Sequence, residues 1–290
     1  MNKLNKVVIP LAGLGTRMLP ITKSVSKEML PIAGIPIIQI IVEEALESGF
    51  KEIIFITREK KSSAKNHFER NLEFESNLEK NNKSSLREIR NITKLGINIK
   101  SVKQIKPQGL GHAILCAKTL ISGEPFAVML PDMILDANYK KNNLALMKKN
   151  FEKSGVSSIL LGRVKKSDVQ KYGIIKMEKK KHKTSFFPID DIIEKPSPKK
   201  APSNLFVAGR YVFENEILSY LKKERPDSSG EIQLTGAVSN FLKDSNTING
   251  FVLDGAIHDC GNKLGYLIAN LAFSFKDPNI KKEVLKFIKK

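Results

Sequence analysis

Short apolar runs alternate with amphipathic stretches along most of the 290 residues. Residues 7–11 (VVIPL) are wholly apolar, the pattern of a strand covered on both faces of a parallel sheet. Residues 36–48 (PIIQIIVEEALES) carry apolar positions at helical spacing. Pro36 suits a first helical turn and Gly49 the stop that follows. Residues 52–57 (EIIFIT) are apolar again. Strand, helix and strand joined by short turns imply a βαβ unit and a parallel sheet. The alternation predicts further strands at 97–102, 125–130, 157–164, 207–213 and 251–253. It predicts helices from 109 to about 120, at 142–153, at 263–275 and at 279–290. There is no internal repeat and no long linker, so a single α/β domain over residues 1–290 is expected.

Residues 60–95 break the rhythm. They are polar, with Phe68, Leu72, Leu78, Leu86, Ile89 and Ile92 near helical spacing and a break at residues 81–85. This reads as a helical insertion in two pieces, either plain scaffold or a cover over a ligand site. In the last helix, Ile280, Val284, Leu285 and Ile288 suit docking on the body or on a second subunit.

The formal net charge of +19 admits nucleic acid, an anionic membrane or a polyanionic substrate as partner. Much of it is lysine in scattered pairs, the pattern of a solvated surface; residues 179–183 (KKKHK) read as a solvated hairpin tip. The two cysteines, Cys116 and Cys260, have no metal-like spacing and point to a reducing, cytoplasmic setting. No apolar run reaches the ~18 residues of a membrane span.

The candidate chemistry begins where the first strand ends. Ala12-Gly13-Leu14-Gly15 lets backbone N–H groups approach an anionic ligand, and Arg17 and Lys27 follow with fixed positive charge. Neither common phosphate loop fits: Gly15 is followed by Thr16-Arg17 instead of Lys-Ser/Thr, and Met18 stands where a dinucleotide fingerprint needs glycine. A second glycine turn, Gly109-Leu110-Gly111, follows Gln104 and opens a helix, so it can line the same sheet edge. His112, with no acid partner in sequence, reads as a structural or packing residue. Asp132 ends a strand in the expected ligand crevice and suits a metal that accompanies a triphosphate. Asp259 is a second carboxylate at a turn. Gly173 marks an edge open to a ligand, and Glu194-Lys195 pairs a hydroxyl acceptor with a phosphate-binding cation, or else a surface ion pair.

Six segments together carry a resemblance: GLGTRMLP with KEMLP, GLGHA, LPD, EKP, APSNLFVAGRYVF with GEIQLT, and HDCGNKLGY. The chain resembles the bacterial UTP–glucose-1-phosphate uridylyltransferases of the sugar nucleotidyltransferase superfamily, over nearly its whole length. The resemblance implies a Rossmann-like nucleotidyltransferase fold with a mixed, mostly parallel sheet flanked by helices. It implies Mg2+-dependent conversion of UTP and glucose 1-phosphate to UDP-glucose and pyrophosphate, by an enzyme expected to be a homo-oligomer, dimer or tetramer. Carried over by motif, Leu11, Ala12, Gly13, Gly15, Gln104 and Gly109 bind the nucleotide, with Ala12, Gly13, Gln104 and Gly109 at the uracil. Arg17 and Lys27 offset phosphate charge, and Asp132 and Asp259 hold Mg2+. Gly173 and Glu194 meet glucose hydroxyls and Lys195 the sugar phosphate. The chain departs from the family at Ile35, where a Lys-Pro pair is common, at Gly236, where Asp is usual, and between Gln104 and Gln108. The competing readings are a relative using dTTP or another sugar 1-phosphate, an inactive paralogue, and a basic nucleic-acid-binding protein.

Overall fold

The computed structural model describes residues 3–58, 62–136, 142–177 and 185–289. The lysine-rich stretch 179–183, expected at a hairpin tip, lies outside the described residues, as do Lys60 and Lys61 at the start of the insertion.

The chain opens with β1 (Lys6–Pro10), a two-stranded ribbon of β2 (Pro31–Ile32) and β3 (Ile35–Pro36), helix α1 (Ile37–Glu47) and β4 (Glu52–Thr57). The insertion forms α2 (Ser63–Asn66), α3 (Leu72–Asn81) and α4 (Lys83–Leu95). Then come β5 (Ile99–Lys103), α5 (Gly109–Cys116), α6 (Lys118–Ile121), β6 (Phe126–Met129), β7 (Met133–Asp136), α7 (Asn143–Ser154) and β8 (Ser157–Arg163). The remainder is β9 (Gly173–Lys176), β10 (Phe186–Pro188), β11 (Asp191–Glu194), β12 (Leu205–Phe213), α8 (Ile217–Lys223), α9 (Leu234–Lys243), β13 (Ile248–Val252), β14 (Ala256–Asp259), α10 (Lys263–Ser274) and α11 (Pro278–Ile288).

The main sheet runs β10-β13-β8-β12-β6-β1-β4-β5, with β9 beside β12 and β11 beside β9. It is mixed, as expected. The N-terminal part of the chain, which carries the glycine turns, builds a wholly parallel half, β6-β1-β4-β5. The long strand β12 joins that half to β8 and β9 by antiparallel pairing. Period-two alternation buries both faces of the strands. Val7, Ile9, Ile53 and Phe55 pack with α1 and α7 on one side, and Val8, Ile54 and Ile56 pack with α5, α8 and α9 on the other. Val7, Val8 and Ile9 are fully buried, worth about 1.5–3 kcal/mol each by area.

Several boundaries differ from the sequence expectation. Pro36 pairs with Pro31 in the ribbon, and α1 begins one residue later. The helix expected to run to about 120 breaks at Ala117 into α5 and α6. Gly173 is not at a free edge, because β9 lies between β11 and β12. The insertion packs beside α1 through Ala64, Phe68, Ile92 and Leu95. Helix α10 is tied to the ribbon: the Tyr266 hydroxyl donates to the Pro31 carbonyl (2.6 Å), and Asn270 Oδ1 accepts from Ala33 N (3.1 Å). Helix α11 fully buries none of its residues: Val284 is half-buried, and Ile280, Leu285 and Ile288 are exposed.

Candidate active site

The loops after β1, β4 and β5 leave the sheet at one edge, where ligands bind in open α/β folds. The ladder continues just past the strands, with Leu11 N donating to Ile56 O (2.7 Å) and Gln104 N to Thr57 O (2.9 Å). Leu11, Ala12 and Gln104 therefore stand side by side on that edge. Gly15 turns the chain at a φ of 65°, and the Thr22 hydroxyl locks the turn by donating to the Gly15 carbonyl (2.8 Å). Gly13 is exposed, and a methyl group on it would lie 3.7 Å from Lys27 Nζ. The ammonium thus sits directly over the bare backbone of the first loop.

The two candidate metal carboxylates lie 127 residues apart, and an antiparallel pairing of β7 with β14 brings them together. The pairing sets Asp259 opposite Met133, and Cys260 N extends it by donating to the Asp132 carbonyl (2.7 Å). Asp259 thus ends a strand, where the sequence suggested a turn. Behind this ribbon β12 bulges at Gly209, whose φ of 73° and close approach to Met133 (2.9 Å from a would-be methyl) demand glycine. The bulge carbonyl accepts from Leu130 N (2.8 Å), which fixes the loop carrying Asp132.

Lys27 Nζ donates to Asp132 Oδ2 at 2.7 Å. Burial alone would push the Asp132 carboxyl up; the Lys27 charge and hydrogen bond, with Arg17 nearby, hold it below the usual carboxylate range. Asp259 accepts from Gly261 N (2.9 Å, Oδ1) and from the Tyr172 hydroxyl (3.2 Å, Oδ2). Burial and the Asp259 charge push that phenol up to about 12, so it stays a donor at neutral pH. A methyl group on Gly261 would lie 3.0 Å from Asp132 Oδ2, 3.0 Å from Asp259 Oδ1 and 2.7 Å from Arg17 Nη2. Both carboxylates and the guanidinium therefore converge on one point. Two carboxylates with open surroundings fit Mg2+, which takes one or two of them and fills its shell with phosphate oxygens and water. Among the described residues no cluster of three or more His, Cys, Asp or Glu side chains forms a cage of protein ligands alone.

Arg17, Asp132, Asp259, Gly173, Glu194 and Lys195 all line one cavity of about 560 Å3. Strand pairing sets Glu194 opposite Gly173, and a methyl group on Gly173 would come within 3.4 Å of Glu194 Oε2 and 3.2 Å of Thr235 Cγ2. Lys195, at a φ of 43°, donates its backbone N–H to Tyr172 O (3.0 Å). Its ammonium lies 3.5 Å from Glu194 Oε1, so cation and carboxylate face the cavity together.

Six of the proposed site residues thus share this cavity, with Lys27 just behind Asp132. Leu11, Ala12, Gly13, Gly15, Gln104 and Gly109 do not line it; they belong to the neighbouring sheet edge, and Leu110 bridges the two. Tyr172, Gln233 and Thr235 also line it and were not singled out from the sequence. The signal was there: Tyr172 precedes Gly173, and the other two lie in GEIQLT. His112 is more than packing, since its ring meets the Gln104 amide at 2.9 Å. At Gly236 the room of an aspartate is taken by Glu224, whose Oε2 would lie 2.5 Å from a Cβ there. Ile35 is exposed on the ribbon.

The sequence profile of the nucleotidyl transferase family matches residues 6–274. UTP–glucose-1-phosphate uridylyltransferase of Haemophilus ducreyi is 43% identical over 289 residues, with 98% of each chain covered. The chain belongs to the nucleotidyl transferase family, in its UTP–glucose-1-phosphate uridylyltransferase branch. The Escherichia coli K12 uridylyltransferase is 41% identical over 279 residues, covering 94% of this chain and 91% of that one. Among solved structures, a UTP-bound UGPase from Acinetobacter baumannii superposes with a TM-score of 0.88 at 36% identity, covering 99% of both chains. A UDP-glucose pyrophosphorylase complexed with UDP-glucose gives 0.84 at 36%, covering 94% of this chain and all of the other.

Proposed function

We propose that this chain transfers UMP from UTP to glucose 1-phosphate, giving UDP-glucose and pyrophosphate. The observation that carries the reading is the shared cavity. Arg17, Asp132 and Asp259 share it with Gly173, Glu194 and Lys195, which supports a triphosphate site and a sugar-phosphate site opening on one space.

A sugar phosphate oxygen is already a nucleophile at neutral pH, and no general base is required. It attacks the α-phosphorus in line, the new P–O bond forms, and the bond to the β-phosphate oxygen breaks with pyrophosphate leaving. The obstacle is bringing two polyanions together, and the residues answer it by position and charge. Lys195 holds the sugar phosphate, while Glu194 and the bare edge of Gly173 receive sugar hydroxyls. Lys27 faces the reacting phosphates and Arg17 the departing ones. Leu11 and Gly15 lie beside the nucleotide, with Ala12, Gly13, Gln104 and Gly109 at the base. Asp132 and Asp259 would hold Mg2+, which when bound supplies charge neutralisation between the phosphates.

One catalytic domain spans the chain, and it acts as a homo-oligomer: α11 leaves Ile280, Leu285, Phe287 and Ile288 exposed, and a second copy is the cover that reading supplies. The unpaired Cys116 and Cys260 suit the reducing cytoplasm. The test is pyrophosphate release by purified protein with UTP, Mg2+ and glucose 1-phosphate, beside tubes with dTTP, with galactose 1-phosphate and with Asp132→Asn. Release with the first pair that the variant abolishes supports the reading. Faster release with dTTP or galactose 1-phosphate moves the assignment to a sister activity.

A further inference from the structure

Gln104 is 4% exposed, and both protons of its amide nitrogen are committed. Nε2 lies 3.2 Å from the Gly109 carbonyl oxygen and 2.9 Å from His112 Nδ1. The Gly109 oxygen can only accept, so the amide must present its nitrogen there and not its oxygen. The second proton of that nitrogen then points at His112 Nδ1, which must accept it. The imidazole proton therefore sits on Nε2, the nitrogen 4.0 Å from Cys116 Sγ, a weak acceptor one helical turn on. Among the described residues the amide is left with one free group, the Oε1 acceptor.

An acceptor aimed at a pyrimidine edge selects a ring N–H. Uracil and thymine offer one at N3; cytosine offers a lone pair there. We propose that His112 is a positioning residue that locks the Gln104 amide with its oxygen toward the base, and so sets selection for imide-bearing pyrimidines over cytosine. The inference rests on the reading that Gln104 meets the base. His112 itself touches neither the base nor the reacting phosphates. Its influence runs through the orientation of one amide, which the 3.2 Å bond to Gly109 alone holds weakly. Once the amide can turn over, its NH2 faces the site and matches the cytosine N3 lone pair as well as it mismatches uracil.

The experiment measures kcat and KM for UTP and CTP with the full chain, Mg2+ and glucose 1-phosphate. His112→Leu is expected to raise KM for UTP about tenfold with kcat nearly unchanged, and to cut the UTP over CTP preference by about tenfold. His112→Asn, whose Oδ1 stands near the imidazole Nδ1, is expected to restore most of both. A purely structural histidine would lower thermal stability and leave the UTP to CTP ratio alone, and that result overturns the proposal. Gln104→Leu separates the two readings. If it leaves KM for UTP unchanged, the base assignment falls and the proposal with it. If it raises KM while His112→Leu keeps the wild-type ratio, the proposal alone falls. A measurement on the unaltered protein stands whether or not the variants fold: 15N chemical shifts of the His112 ring are expected to show a bare Nδ1 and a protonated Nε2, and a protonated Nδ1 overturns the proposal.

Discussion

Lys27 Nζ and Asp132 Oδ2 lie 2.7 Å apart, with both side chains 18% exposed. The contact links the first glycine loop to the loop after β6, so the phosphate-facing ammonium and the metal-facing carboxylate are held as one unit. The pair also explains why Asp132 stays ionised in a partly buried site: burial opposes the charge, and Lys27 more than offsets it. Lys27→Met removes the offset and leaves the burial. The Asp132 carboxyl then moves up, so the acid limb of the pH–rate profile shifts to higher pH. At the optimum, kcat falls by about 10²–10³-fold, the usual loss for one transition-state donor. An unmoved acid limb in this variant would show that the pair does not set the ionisation of the site.

Gly261 marks the point on which Asp132, Asp259 and Arg17 converge. Gly261→Ala puts a methyl group 3.0 Å from both carboxylate oxygens, tighter than they can keep. The flexible Arg17 can retreat; the carboxylates, tied by the β7–β14 pairing, cannot do so without spreading. The expected result is a higher half-saturating Mg2+ concentration and a kcat reduced by about 100-fold, with a melting temperature close to wild type. Titrating activity against Mg2+ in both proteins decides it, and equal half-saturation would remove the metal assignment from this point.

The parallel half of the sheet and its glycine loops were legible in the sequence because they are local. Residues 7–57 lay out β1, α1 and β4 in chain order, and an apolar run that ends in glycine announces its own loop. The pairing of β7 with β14 was not legible. Each strand has four residues, they lie 120 positions apart from Asp136 to Ala256, and neither alternates clearly. Asp132 and Asp259 could therefore be chosen as residue types, and only the resemblance, not the pattern, put them in one site. The partner of His112 was not legible for a related reason. Its partner is the amide of Gln104, and a histidine is usually matched in sequence with acids.

Glu28 sits beside Lys27 with one carboxylate oxygen, Oε2, buried without a hydrogen-bond partner among the described residues. Burial pushes its carboxyl above the ordinary 4.5, against the pull of backbone hydrogen bonding and Lys27. The sign follows from linkage. Above 4.5 the unfolded chain has lost this proton while the folded chain keeps it, so the contribution is fully present below 4.5. It is lost as pH rises through the folded value. Glu28→Gln cannot charge. Its melting temperature should match wild type more closely below pH 4.5 and gain on it as pH climbs toward 8. A gap that narrows with rising pH contradicts the burial argument.

Arg210 on β12 is fully buried and forks onto Glu44 of α1 at 2.9 and 2.6 Å, while Nη1 donates to the Leu130 (3.1 Å) and Gly209 (3.2 Å) carbonyls. It thereby supports the Asp132 loop from below, on the side away from the cavity. Arg210→Met leaves Glu44 without its cation and should cost about 3–5 kcal/mol in urea unfolding. Arg210→Lys keeps the charge and loses the fork, so it should recover only part of that. In the double variant Glu44→Leu/Arg210→Met no charge is left unpaired, and the loss should be well below the sum of the two single losses. Strict additivity would mean that the pair acts through packing alone.

The C-terminal helices leave several large apolar side chains uncovered. Phe287 is 78% exposed, Leu264 67% and Ile288 64%, and Leu267, Ile268 and Ile280 add to them. Scattered apolar residues are ordinary on a surface, but a run of them along two consecutive helices asks for a cover. The body does not supply it, since α11 fully buries none of its residues. A second copy brings the same surface and can meet it about a two-fold axis, the commonest arrangement for a homodimer. Light scattering on the purified protein should therefore give a whole multiple of the chain mass. The Leu264→Glu/Phe287→Glu double variant should give the single-chain mass while keeping its secondary structure by circular dichroism. Leu264 lies only five residues from Asp259, so the single variant Phe287→Glu, whose charge enters near the end of α11, is the one in which loss of assembly is read apart from loss of chemistry. A wild-type protein that already elutes as one chain would leave these helices exposed for some other partner and end the oligomer proposal.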